Sequence, residues 1–484
     1  MTEQADLSDK TPARLGLGLL VALVVGSIIG SGIFGLPQNM AAGAGAGAIL
    51  IGWGISGVGM LMLALVYQML ASRKPELNNG VYAYARALSG DYVGFNSAWG
   101  YWVSAWIGNV GYLVAVFGAM GYFLPVFGDG NTPCAIVCAS AVLWMVHALV
   151  LRGIRGAAVL NAVVTAAKVL PLLLFIVLVA GAFQLGNFQL HLWGDAALGP
   201  VFGQIKSTML VTVWVFIGVE GASVYSARAR GRADVGRATV IGFLICLLLM
   251  MAVSLLSLGV LSQPELAALK NPSMASVLEK VVGTWGAVLI YLGLIFSVGG
   301  GFLAWTLLAA ESLFTPAGAG VMPGVLGRQN RAGVPAHALW LTNGMVQLFL
   351  LLALFSKASY LALISLSTAM ILVPYLFSAA YAARVAWQNR TGAAGEGKDL
   401  PVALLATVYC LWLLYAAGLK YLLLSALLYA PGAVLYRMAK RQRAERASNP
   451  AEGAFSPAER AIVLGLLLLA LCAAALLFNG QLSL

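Results

Sequence analysis

Residues 26–37 read GSIIGSGIFGLP and sit in the middle of an apolar run covering 15–43. Gly26, Gly30, Gly32 and Gly35 fall within ten positions, Ser27 and Ser31 stand among them, and Pro37 follows. Glycine has the most backbone freedom to lose in a helix, so this stretch is poised to unwind. Unwound backbone exposes N–H and C=O groups, which a membrane tolerates only where they line a cavity. The alternative is close helix packing of the GxxxG kind, which Gly26 and Gly30 satisfy by themselves.

A second stretch shifts that balance. Residues 210–229 read LVTVWVFIGVEGASVYSARA, with Gly218 and Gly221 bracketing Glu220. A carboxylate inside a span is costly and marks a substrate or ion path. This is the first span of a second set of five. Interrupted spans at corresponding places in two halves predict an inverted-repeat carrier with its site near the midplane. A half-helix N-terminus is electropositive, which places Gly30, Ser31 and Gly32 to hold an anionic group. Glu220, with Trp214 and Phe216 nearby, suits a cation. A ligand with both groups is an amino acid, best one with a cationic side chain.

The rest of the chain agrees with a membrane setting. Of its 484 residues, 61% are hydrophobic and only 9% are charged, too few charges to cover a soluble protein of this length. Apolar runs predict thirteen spans, at 15–43, 47–71, 93–124, 133–151, 157–184, 204–228, 236–261, 276–314, 336–356, 358–387, 400–418, 420–438 and 460–479. The first run lacks a small-residue cleavage site and follows a polar start, MTEQADLSDKTPAR, so it reads as a span rather than a cleaved signal. The polar stretch 73–91 reads as a short cytoplasmic helix lying on the membrane. The expected divisions are a cytoplasmic tail (1–14), a transport core of spans 1–10 (15–390) and accessory spans 11–13 (391–484).

The net charge of +11 has a direction. With the N-terminus in the cytoplasm, 22 of the 28 Lys and Arg fall in cytoplasmic segments, five in outer ones, and Lys168 lies within a span. That is the positive-inside pattern, and it assigns the basic charge to lipid headgroups rather than to nucleic acid. The odd span number puts the C-terminus outside a multi-pass cell (inner) membrane protein. The five cysteines all fall in apolar runs and form no CxxC or Cys/His pattern, so no metal is expected.

Three polar features inside spans remain. Glu311 falls near a span end and reads as solvated or paired with a loop arginine. Lys168, in KVLPLL, either snorkels to an interface or has a structural or proton-linked role. In the third span, GYWVSAWIGNVGY (100–112) puts Tyr101, Ala105 and Asn109 on one face, to meet a ligand or to bond a neighbouring helix.

The motifs GSIIGSGIF (26–34), YWVSAWIGN (101–109), VWVFIGVEGAS (213–223), WTLLAAE (305–311) and LVPY (372–375) resemble the basic amino acid/polyamine antiporter family of the amino acid–polyamine–organocation superfamily. RKPELNNGVYAYA (73–85), SARARGRADVGRATVIGF (226–243), NPSMASVLE (271–279) and KYLLLSALLYAPGA (420–433) are similar to its bacterial arginine/ornithine antiporters. The resemblance runs from about residue 15 to the last span. It implies an all-α, LeuT-like five-plus-five inverted-repeat core with extra C-terminal spans. It also implies site roles. Ile28, Ser31 and Gly32 would hold the substrate carboxylate and amine, with Ile217 a backbone contact for the amino group. Trp214 would hold the substrate chain, and Trp305 would pack on the guanidinium. Asn109 and Ser367 would contact the guanidinium end, and Tyr101, Glu220 and Tyr375 would form a gate. Lysines at the place of Lys168 fill the second sodium site of other superfamily members, which implies no sodium requirement. Ser27 and Ala105 depart from the asparagine and cysteine of the related arginine/agmatine antiporters. The loop FTPAGAGVMPGVLGRQNRAGVP (314–335) lacks the charges usual in the family.

The expected activity is one-for-one exchange of L-arginine for L-ornithine, with no cofactor, no P-loop and no enzyme chemistry. The alternatives are a proton-coupled basic amino acid permease, or exchange of lysine/cadaverine, histidine/histamine or arginine/agmatine. The expected partners are these small substrates and membrane lipids, in a monomer or homodimer.

Overall fold

The computed structural model describes residues 16–77, 80–153, 157–190, 192–220, 232–356, 360–389, 398–448 and 453–482. The tail 1–14, Gly221 with the end of the sixth predicted span, and the first residues of the tenth lie outside the described residues. Among the described residues every regular element is a helix. Nine helices there are long and apolar enough to cross a membrane, and a tenth if one bent pair is a single span. That pair is the first predicted span. It comprises α1 (Leu17–Ile28), a 3-10 turn at Ser31–Gly35 and α2 (Leu36–Ala41), bent by 51° at the break.

The chain continues through α3 (Ala46–Arg73), α4 (Gly80–Ser89), α5 (Asp91–Phe123), α6 (Pro133–Leu151) and α7 (Ala157–Gly181). After the short α8 (Leu185–Leu190) come α9 (Val201–Phe216) and α10 (Arg232–Ser257), then α11 (Gln263–Ala267) and α12 (Ser273–Val282). Long helices follow as α13 (Thr284–Gly318), α14 (Ala336–Ser356), α15 (Tyr360–Gln388) and α16 (Asp399–Tyr429). The chain closes with α17 (Gly432–Ala447) and α18 (Pro457–Phe478).

Packing sorts these helices into two groups. Helix α1 lies on α10, and α3 lies on α9 and α10. Helix α5 lies on α13 and α15, and α14 packs on α6 and α13. Within the first group the approach is close. A Cβ at Gly43 would strike Ser207, one at Gly52 would strike Thr208, and one at Gly59 would strike the ring of Tyr409. Small residues let membrane helices meet this way. Polar pairs fix the register: Ser56 Oγ lies 2.6 Å from Thr212 Oγ1, and Trp53 Nε1 donates to Ser254 Oγ at 2.8 Å.

Two elements differ from the sequence expectation. The run 276–314 is two elements, α12 and α13, because Gly283 takes φ 83 between them. Helix α4 does not simply lie on a membrane: Tyr82 and Tyr84 are buried, and Tyr84 stacks on Tyr381 with ring centroids 6.1 Å apart. Its apolar face meets protein, and Asp91 beyond its end pairs with both Arg86 and Arg443. The division expected between 418 and 420 is present: α16 is two arms divided at Gly418, whose φ 75 and ψ 165 no ordinary L-residue adopts without strain. The contacts show a reversal there. Asp399 pairs with Arg73, Tyr415 lies beside Lys206 and Phe202 at the start of α9, and Leu428 O then accepts from Trp99. The chain leaves the Arg73 end, reaches the opposite end and returns.

Candidate functional site

Helix α1 stops at Ile28 because Ile29 takes ψ 103 and Gly30 follows in an extended conformation. Helix α9 stops at Phe216, where Ile217 takes ψ 129 and Gly218 takes φ 108. The two breaks touch: a Cβ on Gly218 would lie 2.6 Å from Ser27 O. Glycine is required there by both its φ and the approach of the other backbone.

Each break has a charged neighbour. Lys168, on α7, is buried, and its Nζ donates to Ile29 O at 3.0 Å and Gly26 O at 3.4 Å. An ammonium at the carbonyl end of a half-helix meets the negative end of its dipole. Lys168 therefore does not snorkel. Glu220 sits two residues past the α9 break, and Oε2 accepts from Gly218 N at 3.2 Å. Tyr101 Oη on α5 donates to its Oε1, and Tyr375 Oη on α15 donates to its Oε2, both at 2.8 Å. Bonds to an ionised acceptor are the strong kind, so one carboxylate ties α5, α9 and α15 together. Tyr67 backs Tyr375, with ring centroids 6.0 Å apart.

Between the breaks lies a cavity of about 290 Å³. Its walls include Ile28 and Gly32 from the first break, Trp214, Ile217 and Glu220 from the second, Tyr101 and Ala105 from α5, Lys168 from α7 and Trp305 from α13. Glu220 and Lys168 are its charged lining groups. The arrangement offers backbone polar groups, one carboxylate, one ammonium and flat aromatic faces. It can recognise a small ligand by charge and stacking. Among the described residues no group of three or more His, Cys, Asp or Glu is placed to hold a metal ion.

Eight of the twelve residues singled out from sequence line this cavity, and Tyr375 joins it through Glu220. The other three stand off. Ser31 faces away, with its Oγ 3.1 Å from Tyr360 Oη. Asn109 is buried behind the wall and donates from Nδ2 to Thr306 Oγ1 at 3.3 Å, while its Oδ1 has no partner among the described residues. Ser367 Oγ donates to Ser104 O at 2.7 Å. Glu311 is exposed on α13 and accepts from Thr315 Oγ1 at 3.3 Å.

Some wall residues escaped the sequence reading. Tyr112 continues the Tyr101 face of α5, a periodicity that was available. Ser104, Gly300 and Gly301 also line the cavity. The glycines carried no separable signal among 56 in the chain.

Comparison with known proteins agrees with this architecture. An amino acid permease family model matches residues 15–440. An arginine/ornithine antiporter of Pseudomonas aeruginosa is 54% identical, covering 99% of this chain and all of that one. An L-lysine transport protein of Corynebacterium glutamicum is 44% identical over 98% of this chain and 97% of its own. An arginine/agmatine antiporter of Chlamydia pneumoniae is 43% identical over 88% of this chain and 90% of its own. With its apolar helices, its two interrupted spans and a match over most of its length, this chain belongs to the amino acid permease family and is a membrane transporter.

Proposed function

We propose that the protein exchanges L-arginine for L-ornithine, one for one, across the cell (inner) membrane by alternating access. The observation that carries this reading is the Glu220 carboxylate, held by two tyrosines beside a cavity between two broken helices. The name of the 54% identical relative supports the pair. Both amino acids carry one net positive charge, so exchange moves no net charge and needs neither ATP nor an ion gradient.

In this reading the backbone at Ile28 and Gly32, joined by Ser31, takes the substrate carboxylate, and Ile217 O takes the amine. Trp214 and Trp305 hold the chain and the guanidinium face. Asn109 and Ser367 reach the guanidinium end once the wall at Gly108 and Ser104 yields. Tyr101, Glu220 and Tyr375 are the gate. Lys168 supplies the positive charge between the breaks that a bound cation would otherwise supply. The LeuT-like inverted repeat places α1–α2 and α9 as counterparts. Thirteen spans result if the bent pair is one span, the shorter apolar helices 168–181 and 201–216 cross, and the arms at Gly418 are separate. The N-terminus is cytoplasmic and the C-terminus outside.

Proteoliposomes loaded with ornithine should take up labelled arginine, and unloaded ones should not. Equal uptake by both would overturn the exchange reading. Lys168 favours a second reading, a proton-coupled permease, because its ammonium bridges the α1 break. In that case a pH jump alone drives uptake. A panel including lysine, cadaverine and agmatine separates the other pairs, which the names of the further relatives bring into range. Trp305→Leu should weaken arginine binding about three- to thirtyfold, the worth of a desolvated cation–π contact, read by titration of the purified protein.

A further inference from the structure

The Ser31–Tyr360 contact lies outside the midplane cavity. Ser31 follows the α1 break and Tyr360 opens α15. Both line a second cavity, of about 320 Å³, with Gln38, Asp129, Lys270 and Asn271. Its walls come from the loop beyond α5 and from α15's first turn, so it lies at the end of the molecule opposite Asp91 and Arg73. Gly32, one residue on, lines the midplane cavity instead. Ser31 with Tyr360 is therefore the second cavity's side of the partition between the two, and Tyr112 with Trp214 is the midplane side. The Tyr112 Oη would lie 2.9 Å from a Cβ on Gly30, and its ring meets Trp214 edge-on at 6.2 Å.

We infer that Tyr360 is the gate on this side, and that its hydroxyl competes with the substrate carboxylate for Ser31. This rests on the amino acid exchange proposed above. A bond between two neutral hydroxyls is weak enough to break in every transport cycle. A carboxylate arriving at the helix break offers Ser31 a stronger, charge-assisted acceptor. Ser31 then turns to the ligand and Tyr360 is freed. A ligand without a carboxylate leaves the latch closed. Binding of an amino acid is thus reported to the gate by one hydroxyl group.

Tyr360→Phe tests this with little disturbance to packing. The background carries Ala105→Cys in the midplane cavity as the reporter, with the native cysteines replaced. Without substrate, labelling of this cysteine by an impermeant thiol reagent from the outer side should rise about three- to tenfold in Tyr360→Phe. Ser31→Ala should show the same rise. In the native-cysteine protein, Tyr360→Phe should tighten arginine binding by a similar factor and leave agmatine binding unchanged. Unchanged labelling in both variants would overturn the gate, and an equal change for arginine and agmatine would overturn the competition. If neither ligand binds the parent protein, the exchange reading fails, while the substrate-free labelling still judges the gate.

Discussion

Glu220→Gln should reduce arginine exchange at least tenfold. Both carboxylate oxygens accept from a tyrosine hydroxyl, Tyr101 on one side and Tyr375 on the other. An amide keeps one acceptor and turns a donor toward the second tyrosine. Hydrogen bonds to a charged group are worth about 1.5–3 kcal/mol, so losing one corresponds to roughly a ten- to hundredfold effect. The change also removes the one acidic group among the described lining residues, and with it the counter-charge for a cationic substrate. Exchange in proteoliposomes measures the first loss, and arginine titration of the purified protein measures the second. Tyr101→Phe and Tyr375→Phe should each fall between this variant and the parent. Unchanged kinetics in Glu220→Gln would remove that residue from the site.

Gly218→Ala should abolish exchange and lower the thermal midpoint. An alanine at φ 108 costs about 1–3 kcal/mol in backbone strain alone. Its Cβ would also meet Ser27 O at 2.6 Å, and that atom is backbone that cannot swing aside. The two broken helices would have to separate where they form the cavity. Gly203→Ala, within α9 itself, is the control. Its nearest neighbour would be Pro200 Cγ at 3.9 Å, so this variant should transport normally. Equal behaviour of the two would mean that the contact between the breaks is dispensable.

Much of this architecture is legible in the sequence because two of its causes are local. Glycine clusters mark where helices stop, and the breaks at Ile29–Gly30 and Ile217–Gly218 lie inside the predicted stretches. An ionisable residue in an apolar run is also a local signal, and Glu220 and Lys168 both reach the cavity. Hydropathy reads the length of an apolar run but not a single residue at positive φ. The Gly283 break was therefore hidden in a continuous stretch, while Gly418 was found because Lys420 follows it. Helix α4 looked like a surface element because its polar residues are visible in sequence, and the aromatic wall receiving Tyr84 is not. Most non-local of all is Ser31 with Tyr360. The two are 329 positions apart, and nothing near either residue announces the other.

The glycine contacts of α3 set how the molecule can change shape. At Gly52 and Gly59 the clearance toward Thr208 and Tyr409 is smaller than one methyl group. Sliding along such a seam would drive side chains into backbone, so any shift of α3, α9 and the first arm of α16 would have to be a joint one. Displacement is left to the looser boundary, where aromatic rings and single hydroxyl bonds, rather than backbone, meet across the cavity. A motion confined there turns about the cavity itself. In the alternating access proposed above, opening one mouth would then close the other through the stiffness of a shared wall.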